Sequence, residues 1–174
     1  TTGSTETSLA IGIGGVADAL PNKSHVTVSL SNSALVGLQQ TADELNDYPY
    51  DCSEQIASRL LPVLSLATLA EKHHLRVPSF KEPWFSSALY RLLARQGVDG
   101  GFGYYDGVHV DPWLSTHVMR VLRQAQLRGI SIDESLMDRG NAYLQRVVGS
   151  SEHPWSTQLF ALDALAADGK ATED

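Results

Sequence analysis

The chain has 174 residues, a formal net charge of −7 and 43% hydrophobic residues. That length suits one ordinary domain or a piece of a larger one, and the hydrophobic content is typical of a globular protein. The acidic balance, without any cluster of lysines and arginines, argues against nucleic-acid binding. No apolar stretch of the sequence is long enough to predict a membrane span.

The N-terminal segment carries one strand signal. His25–Leu30 alternates with a period of two and is rich in β-branched residues, which predicts a β-strand. A glycine-rich segment at 11–15 precedes it but lacks the G-x-G-x-x-G spacing of a nucleotide-binding loop. We interpret that segment as a flexible strand or turn.

The rest of the chain predicts helices. Ser33 can cap a first helix over 34–45. Pro49 ends this helix, because the residue before a proline avoids the helical region. A second helix is predicted from near Ser53 to about His74, and Pro62 inside it is expected to kink it.

The later helices share start and stop signals. Each tryptophan follows a proline, in the pairs Pro83-Trp84, Pro112-Trp113 and Pro154-Trp155, and proline suits the first helical turn. Asp111 and Asp133 are predicted N-caps, the latter for a helix that runs to about Val148. Glycines fall where helices should end, at Gly97, Gly129, Gly149 and Gly169. The sequence thus predicts a mainly α fold of six helices, arranged as repeated αα-hairpins with a short N-terminal β segment.

Cys52 is the only cysteine of the chain, so it cannot form a disulfide within it. It is either a buried hydrophobe or a thiol kept for its chemistry. Gln55 lies three residues further on. A cysteine thiolate that attacks a glutamine side-chain carbonyl can displace ammonia and leave an internal thioester, and a three-residue offset across a turn provides the required proximity.

The neighbours of Cys52 have opposite expected effects on the pKa of its thiol. If the second helix begins at Ser53, the positive end of its dipole favours the thiolate. The like charge of Asp51 opposes it. Glu54 could orient the Gln55 amide, although capping of the helix start is its more ordinary role.

The segment before the cysteine completes a recognisable motif. Tyr48-Pro49-Tyr50, followed by the C-x-E-Q run, resembles the thioester signature of the alpha-2-macroglobulin family. Its bacterial members are closest, with the usual pattern Pro-Tyr-Gly-Cys-x-Glu-Gln, so Asp51 stands where the family has glycine. The resemblance runs from 26 to 169 and is strongest over 29–61. Tyr48 and Tyr50 are then expected to shield the thioester from water, although plain core packing is an equal alternative.

The resemblance implies a domain organisation. Residues 33–174 would be the first half of a thioester-containing domain, an alpha-alpha toroid. Residues 1–32 would be the end of a preceding β domain or a linker. The Gly-rich aromatic loop at 99–105 is similar to loops of such toroids, where Phe102 and the neighbouring tyrosines would plug the end of the barrel of helices. Half of a toroid would expose apolar faces, which favours self-association.

The resemblance also implies a function, that of a broad-spectrum protease inhibitor in the periplasm or outside the cell. Cleavage of a bait region would expose the thioester. A lysine amine of the attacking protease would then be acylated through Gln55, and the Cys52 thiol would be released. Such a trap acts once and is not an enzyme, and it requires neither cofactor nor metal.

A histidine assists acyl transfer to hydroxyl groups in the complement relatives. The run Trp113–Val118 resembles the Trp-Leu-Thr-Ala-Tyr-Val run found in this part of the family, and counting on from it places that histidine near Thr157. His153 lies four residues away, about one helical turn. Without a histidine at 157, we expect amines to be the preferred acceptors.

Two other functions stay open at this stage. Toroid enzymes such as terpene cyclases and prenyltransferases need a D-x-D-D motif or a zinc-binding set, and neither is visible. A structural module without a thioester is the other alternative, which Asp51 keeps open. Two histidine groups, 73–74 and the trio His109, Asp111 and His117, lack the spacing of known metal ligands.

Overall fold

The structure, a computed structural model, describes residues 51–73 and 79–167. These residues form helices α1 (Ser53–His73), α2 (Pro83–Leu93), α3 (Pro112–Leu127), α4 (Glu134–Val148) and α5 (Trp155–Ala166). The predicted mainly helical fold is confirmed for this part of the chain. Several predictions fall outside the described residues, namely the strand at 25–30, the helix at 34–45, Tyr48, Tyr50, His74 and Gly169.

The helices begin where the sequence predicts. α2 and α3 each start at a proline, and α5 starts directly after Pro154. The carboxylate of Asp111 accepts a hydrogen bond from the Leu114 N–H at 2.7 Å. That of Asp133 accepts one from the Ser135 N–H at 2.8 Å. Both N-cap predictions are confirmed, because each side chain satisfies an N–H that has no partner inside its helix.

The helix ends agree with the glycine signals at two positions and differ at one. Gly129 follows α3 with a φ of 77°, the left-handed region that glycine adopts most readily. Gly149 is the C-cap of α4. The prediction for Gly97 was wrong, since α2 already ends at Leu93. There the backbone continues as a turn, in which N–H groups of 94–96 bond to the last carbonyls of α2.

α3 is the central helix of the packed core. It contacts α1, α4 and α5, while α1 also packs on α2 and α4 on α5. Its buried face has helical spacing and consists of Leu114, Val118, Val121, Leu122 and Ala125, all fully buried. Burial of one leucine or valine stabilises a fold by roughly 1.5–3 kcal/mol. This stripe therefore holds α1, α4 and α5 together around α3.

The loop at 97–110 connects α2 to α3 and is closed by two isolated antiparallel bridges, Gln96 with Phe102 and Gly103 with Val110. Phe102 is fully buried, as predicted. The plugging role predicted for the tyrosines stays a prediction; in this chain Tyr104 is 41% exposed and Tyr105 is 74% exposed. Phe102 therefore provides the fully buried aromatic ring of this loop.

Three structural predictions are not tested by these contacts. Pro62 lies inside α1, but the kink predicted there stays a prediction. The closure of the hairpins into a toroid also stays a prediction. On α5 the apolar residues Trp155, Leu159 and Leu162 are exposed. This agrees with exposed apolar faces, while self-association itself stays a prediction.

Candidate functional site

Cys52 lies directly before the first residue of α1 and is buried, with 6% of its surface exposed. Its neighbour Ser53, the first helical residue, is fully buried. The predicted helix start at Ser53 is confirmed. Cys52 therefore occupies the N-cap position, at the positive end of the helix dipole.

The Gln55 side chain folds back towards Cys52. Its Oε1 accepts a hydrogen bond from the Cys52 N–H at 3.4 Å, while the Cys52 carbonyl accepts one from the Ile56 N–H at 2.9 Å. A side chain at the third helical position that reaches the N-cap N–H is one half of a capping box. The contact brings the Gln55 amide group back to the residue that carries the thiol.

Glu54 has a different partner from the one predicted. The capping contact that the sequence assigned to Glu54 belongs to Gln55, because the third helical position is the one that reaches back to the N-cap. Glu54 accepts a hydrogen bond from the Ser58 hydroxyl, one turn further along α1, at 2.8 Å.

The start of α1 is held by the 97–110 loop. The Ser53 N–H donates to the Tyr104 carbonyl at 2.7 Å, and the Ser53 hydroxyl donates to the Gly103 carbonyl at 2.6 Å. The first N–H groups of a helix need partners outside it. Here a segment about fifty residues away in sequence supplies one of them.

Two arginines of the α2 region contact the residues on either side of Cys52. Arg95 Nη1 donates to the Asp51 carbonyl at 2.8 Å and lies 3.3 Å from the Ser53 hydroxyl oxygen. The Arg91 guanidinium forms a salt bridge with the Asp51 carboxylate. The Asp51 carboxylate is therefore paired with a positive charge.

His117 of α3 contacts the site residues through the Ser58 hydroxyl. Its Nε2 lies 3.2 Å from the Ser58 hydroxyl oxygen, and the same hydroxyl donates to Glu54. The imidazole stacks on the Trp113 ring, with 5.6 Å between ring centres. Burial lowers the pKa of His117, and the charge of Arg120 lowers it further, although Glu54 raises it. His117 is therefore neutral at pH 7.

The sequence signal for this role of His117 was weak. The sequence pointed to His117 only as a possible metal ligand, together with His109 and Asp111. In the structure each of these three residues has a different partner. His109 pairs with Asp106, and Asp111 caps α3. Within 51–73 and 79–167 no group of three His, Cys, Asp or Glu side chains could hold a metal ion. The four-residue spacings Glu54–Ser58 and Trp113–His117 were the signals available, but neither reveals that α1 packs on α3.

Tyr104 is a second site residue that the sequence did not assign to the thioester. Burial raises the pKa of the Tyr104 hydroxyl, and the negative charges of Asp111, Glu54 and Cys52 raise it further. Its ring therefore lies within electrostatic reach of Cys52 and Glu54. The Tyr104 carbonyl, which accepts from the Ser53 N–H at 2.7 Å, lies beside the residue that follows Cys52, whereas Tyr48 and Tyr50 fall outside the described residues.

His153 and Thr157 lie at the start of α5. The His153 carbonyl accepts a hydrogen bond from Gln158 Nε2 at 2.8 Å, and the Thr157 N–H donates to the Pro154 carbonyl at 2.9 Å. These contacts close the first turn of α5. An acyl-transfer role for either residue stays a prediction.

A cavity of about 420 Å³ lies between α1, α3 and α5. Its lining includes Arg120, Arg123 and Arg128, together with Asp163, and none of the candidate thioester residues. The arginines have partners there. For example, Arg120 bonds to Asp163 at 3.0 Å and Arg128 to the Leu64 carbonyl at 2.8 Å.

None of the described helices combines the length and the hydropathy of a membrane span.

Comparison with known proteins identifies relatives in several bacteria. No protein-family model matches the chain. It is 31% identical to alpha-2-macroglobulin of Escherichia coli over 167 residues, 87% of this chain and 10% of that protein. It is 27% identical to alpha-2-macroglobulin of Rickettsia conorii over 138 residues, 77% of this chain and 7% of that protein. The chain thus spans a tenth or less of the length of these relatives.

Solved structures give the same result. The C-terminal part of native Escherichia coli alpha-2-macroglobulin superposes with a TM-score of 0.67 at 28% identity, over 76% of this chain and 23% of that one. Salmonella alpha-2-macroglobulin reacted with methylamine superposes with a TM-score of 0.62 at 26% identity, over 78% of this chain and 10% of that one. The trypsin-activated Escherichia coli protein superposes with a TM-score of 0.63 at 28% identity, over 72% of this chain and 10% of that one.

Proposed function

The chain belongs to the alpha-2-macroglobulin family, and from this premise we propose that Cys52 and Gln55 form an internal thioester in a covalent protease trap. The observation that carries the proposal is the contact between the Cys52 N–H and Gln55 Oε1, at 3.4 Å. It holds the glutamine amide beside a buried cysteine at a helix N-terminus. Both reacting groups therefore lie on one short turn, in which the cysteine is shielded from water.

The reaction that forms the thioester needs no reactant other than these two side chains. The Cys52 sulfur attacks Gln55 Cδ, the C–N bond breaks, and the nitrogen leaves as ammonia with the thiol proton. The dipole of α1 favours the thiolate, and the Asp51 carboxylate is paired with Arg91. These features support formation even though Asp51 stands where the family pattern has glycine.

The thioester would belong to the first half of a thioester-containing toroid domain at 33–174, preceded at 1–32 by the end of a β domain or a linker. The contacts of α1 with α2, of α3 with α4 and of α4 with α5 support an arrangement of consecutive helical hairpins. This arrangement leaves the start of α1 beside the 97–110 loop, with Tyr104 next to the reactive pair.

In the intact protein, cleavage by an attacking protease would expose the thioester. A lysine amine of that protease attacks Gln55 Cδ, the C–S bond breaks, and the Cys52 thiol is released. Each molecule reacts once, so the protein is an inhibitor in the periplasm or outside the cell and not an enzyme. Relatives support this, since Escherichia coli alpha-2-macroglobulin is known in trypsin-activated and porcine elastase-activated forms.

Amines are the acceptors that this site fits best. Position 157, where the complement relatives would place their transfer histidine, is threonine. The carboxylate of Glu54 lies next to Gln55 in sequence, and a carboxylate is a weaker base than an imidazole. A hydroxyl group needs such a base before it attacks, whereas a neutral amine does not. We expect methylamine incorporation to exceed glycerol incorporation, and preferential glycerol uptake would refute this specificity.

The mass of the native protein tests the thioester directly. Before treatment we expect a mass lower by one ammonia than the sequence requires. After methylamine we expect a gain of one methylamine and one newly titratable thiol. The Cys52→Ala variant is the control and should show neither change. A free thiol and the full mass at the outset would instead support the structural module without a thioester.

A further inference from the structure

A continuous line of hydrogen bonds connects α3 to the residue next to Gln55. The Ser58 hydroxyl has one hydrogen and donates it to Glu54 Oε1 at 2.8 Å. The 3.2 Å contact between Ser58 and His117 Nε2 must then use a hydrogen on the imidazole nitrogen. The line therefore points from His117 through Ser58 to the Glu54 carboxylate, which acts as the final acceptor.

We propose that Glu54 carries the proton during acyl transfer at this thioester, and that Ser58 and His117 position Glu54 for that step. The inference rests on the proposed thioester and adds to it the group that moves the proton. Glu54 is placed for this in the first turn of α1, next to Gln55, where the Ser58 hydroxyl holds its carboxylate.

The proton step can be written in full. When an amine has attacked Gln55 Cδ, its nitrogen carries a positive charge and must lose a proton. Glu54 takes that proton, the C–S bond breaks with its electron pair on sulfur, and Glu54 returns the proton to the sulfur. The products are an amide at Gln55 and the Cys52 thiol, and Glu54 is again a carboxylate.

His117 makes this step depend on pH. Its Nε2 hydrogen supports Ser58 as a donor to Glu54 while the ring is neutral. When the imidazole is protonated, its positive charge lies one hydroxyl group away from the Glu54 carboxylate, and the attraction between the two charges competes with proton transfer from the amine. Glu54 faces His117 from α1, while Arg120 lies on the same helix as His117 and pairs with Asp163 of α5.

The test measures thiol release by methylamine in the intact protein as a function of pH. We expect Glu54→Gln to slow release about 100-fold at pH 8, the usual scale of general acid–base catalysis. Ser58→Ala and His117→Gln should each slow it about tenfold, because Glu54 is present but less well held. His117→Phe, which keeps an aromatic ring for stacking on Trp113, should behave like His117→Gln.

The ratio of wild-type to His117→Gln rates separates positioning from a general structural effect. The ionisation of methylamine affects both proteins equally and cancels in that ratio. We expect the ratio to fall towards one as the pH decreases below the ordinary histidine value of about 6.5, because burial lowers the pKa of His117. The matched control is His109→Gln, an exposed histidine on the 97–110 loop, which should match wild type at every pH.

The outcomes distinguish this inference from the proposed function. A thioester in all variants, with Ser58→Ala and His117→Gln reacting like wild type at every pH, would overturn the inference and leave the thioester standing. Folded variants that hold no thioester would assign these residues to its formation, which also overturns the inference. A wild-type protein of full mass would overturn the proposed function together with the inference.

Discussion

The starts of α1 and α3 satisfy the same physical requirement in different ways. At α3 the cap is local, because Asp111 accepts from the Leu114 N–H at 2.7 Å and Pro112 has no N–H to satisfy. At α1 the cap position is occupied by Cys52, whose side chain is a weak hydrogen-bonding group. The N–H groups of 52 and 53 are bonded to the Gln55 side chain and to the Tyr104 carbonyl instead.

This difference shows what the cysteine requires of the rest of the fold. The α3 cap needs four consecutive residues and could form in a short peptide. The α1 start needs the 97–110 loop and Arg95, which lie 42 to 51 residues away in sequence. The Cys52–Gln55 turn is therefore complete only after tertiary folding. We infer that a thioester would form late, when Cys52 is already buried.

The largest expected effect comes from Gln55→Glu, which separates capping from chemistry at α1. Glutamate also caps the N-terminus from the third helical position, so the free energy of unfolding should change little. A carboxylate cannot release ammonia, so the thioester should be lost completely. Native mass and methylamine incorporation measure the chemistry, and urea unfolding measures the stability.

Gln55→Ala provides the complementary control. It removes both the cap and the acyl group, so it should lose the thioester and also some stability, about 0.5–2 kcal/mol on the scale of capping substitutions. Methylamine incorporation by Gln55→Glu would contradict the assignment of Gln55 as the acyl donor.

Phe102→Ala should have the next largest effect, because it loosens the loop that holds α1 but not the cap of α3. Phe102 is fully buried, and its N–H donates to the Ser115 hydroxyl at 2.7 Å. Truncation of a buried phenylalanine costs about 3–5 kcal/mol of unfolding free energy. Tyr105→Ala, at an exposed position of the same loop, should stay within about 0.5 kcal/mol of wild type. Equal losses in the two variants would contradict this role of Phe102.

Arg95→Ala should destabilise the start of α1 by about 2 kcal/mol, since Arg95 donates to the Asp51 carbonyl from a partly buried position. Arg91→Ala is the comparison within the same helix region. Its salt bridge with Asp51 is partly exposed, so its loss should cost at most about 1 kcal/mol. Urea unfolding gives both values, and a larger loss for Arg91→Ala would reverse the assignment of these two arginines.

The contrast between the helix starts also explains which features the sequence could predict. The starts of α2, α3 and α5 and the caps Asp111 and Asp133 depend on neighbouring residues, so they can be recognised in a short window. The proximity of Cys52 and Gln55 is equally local. The contacts of Ser58 with His117 and of Ser53 with Tyr104 join residues about fifty or more positions apart. Helical periodicity does not report such pairs, because it shows which face is buried but not which helix covers it.

The smallest expected effect comes from Asp111→Ala, which removes the local cap of α3 and leaves α1 intact. Loss of an aspartate N-cap costs about 1 kcal/mol of unfolding free energy. The backbone contact from the Asp111 N–H to the Phe102 carbonyl, at 3.0 Å, does not involve the side chain. The 97–110 loop should therefore hold its position, and methylamine should be incorporated at the wild-type level. Asp111→Asn, which keeps a capping oxygen, should recover most of the stability. A loss of methylamine incorporation in Asp111→Ala would mean that the start of α1 depends on the cap of α3, and that the two helix starts are not independent.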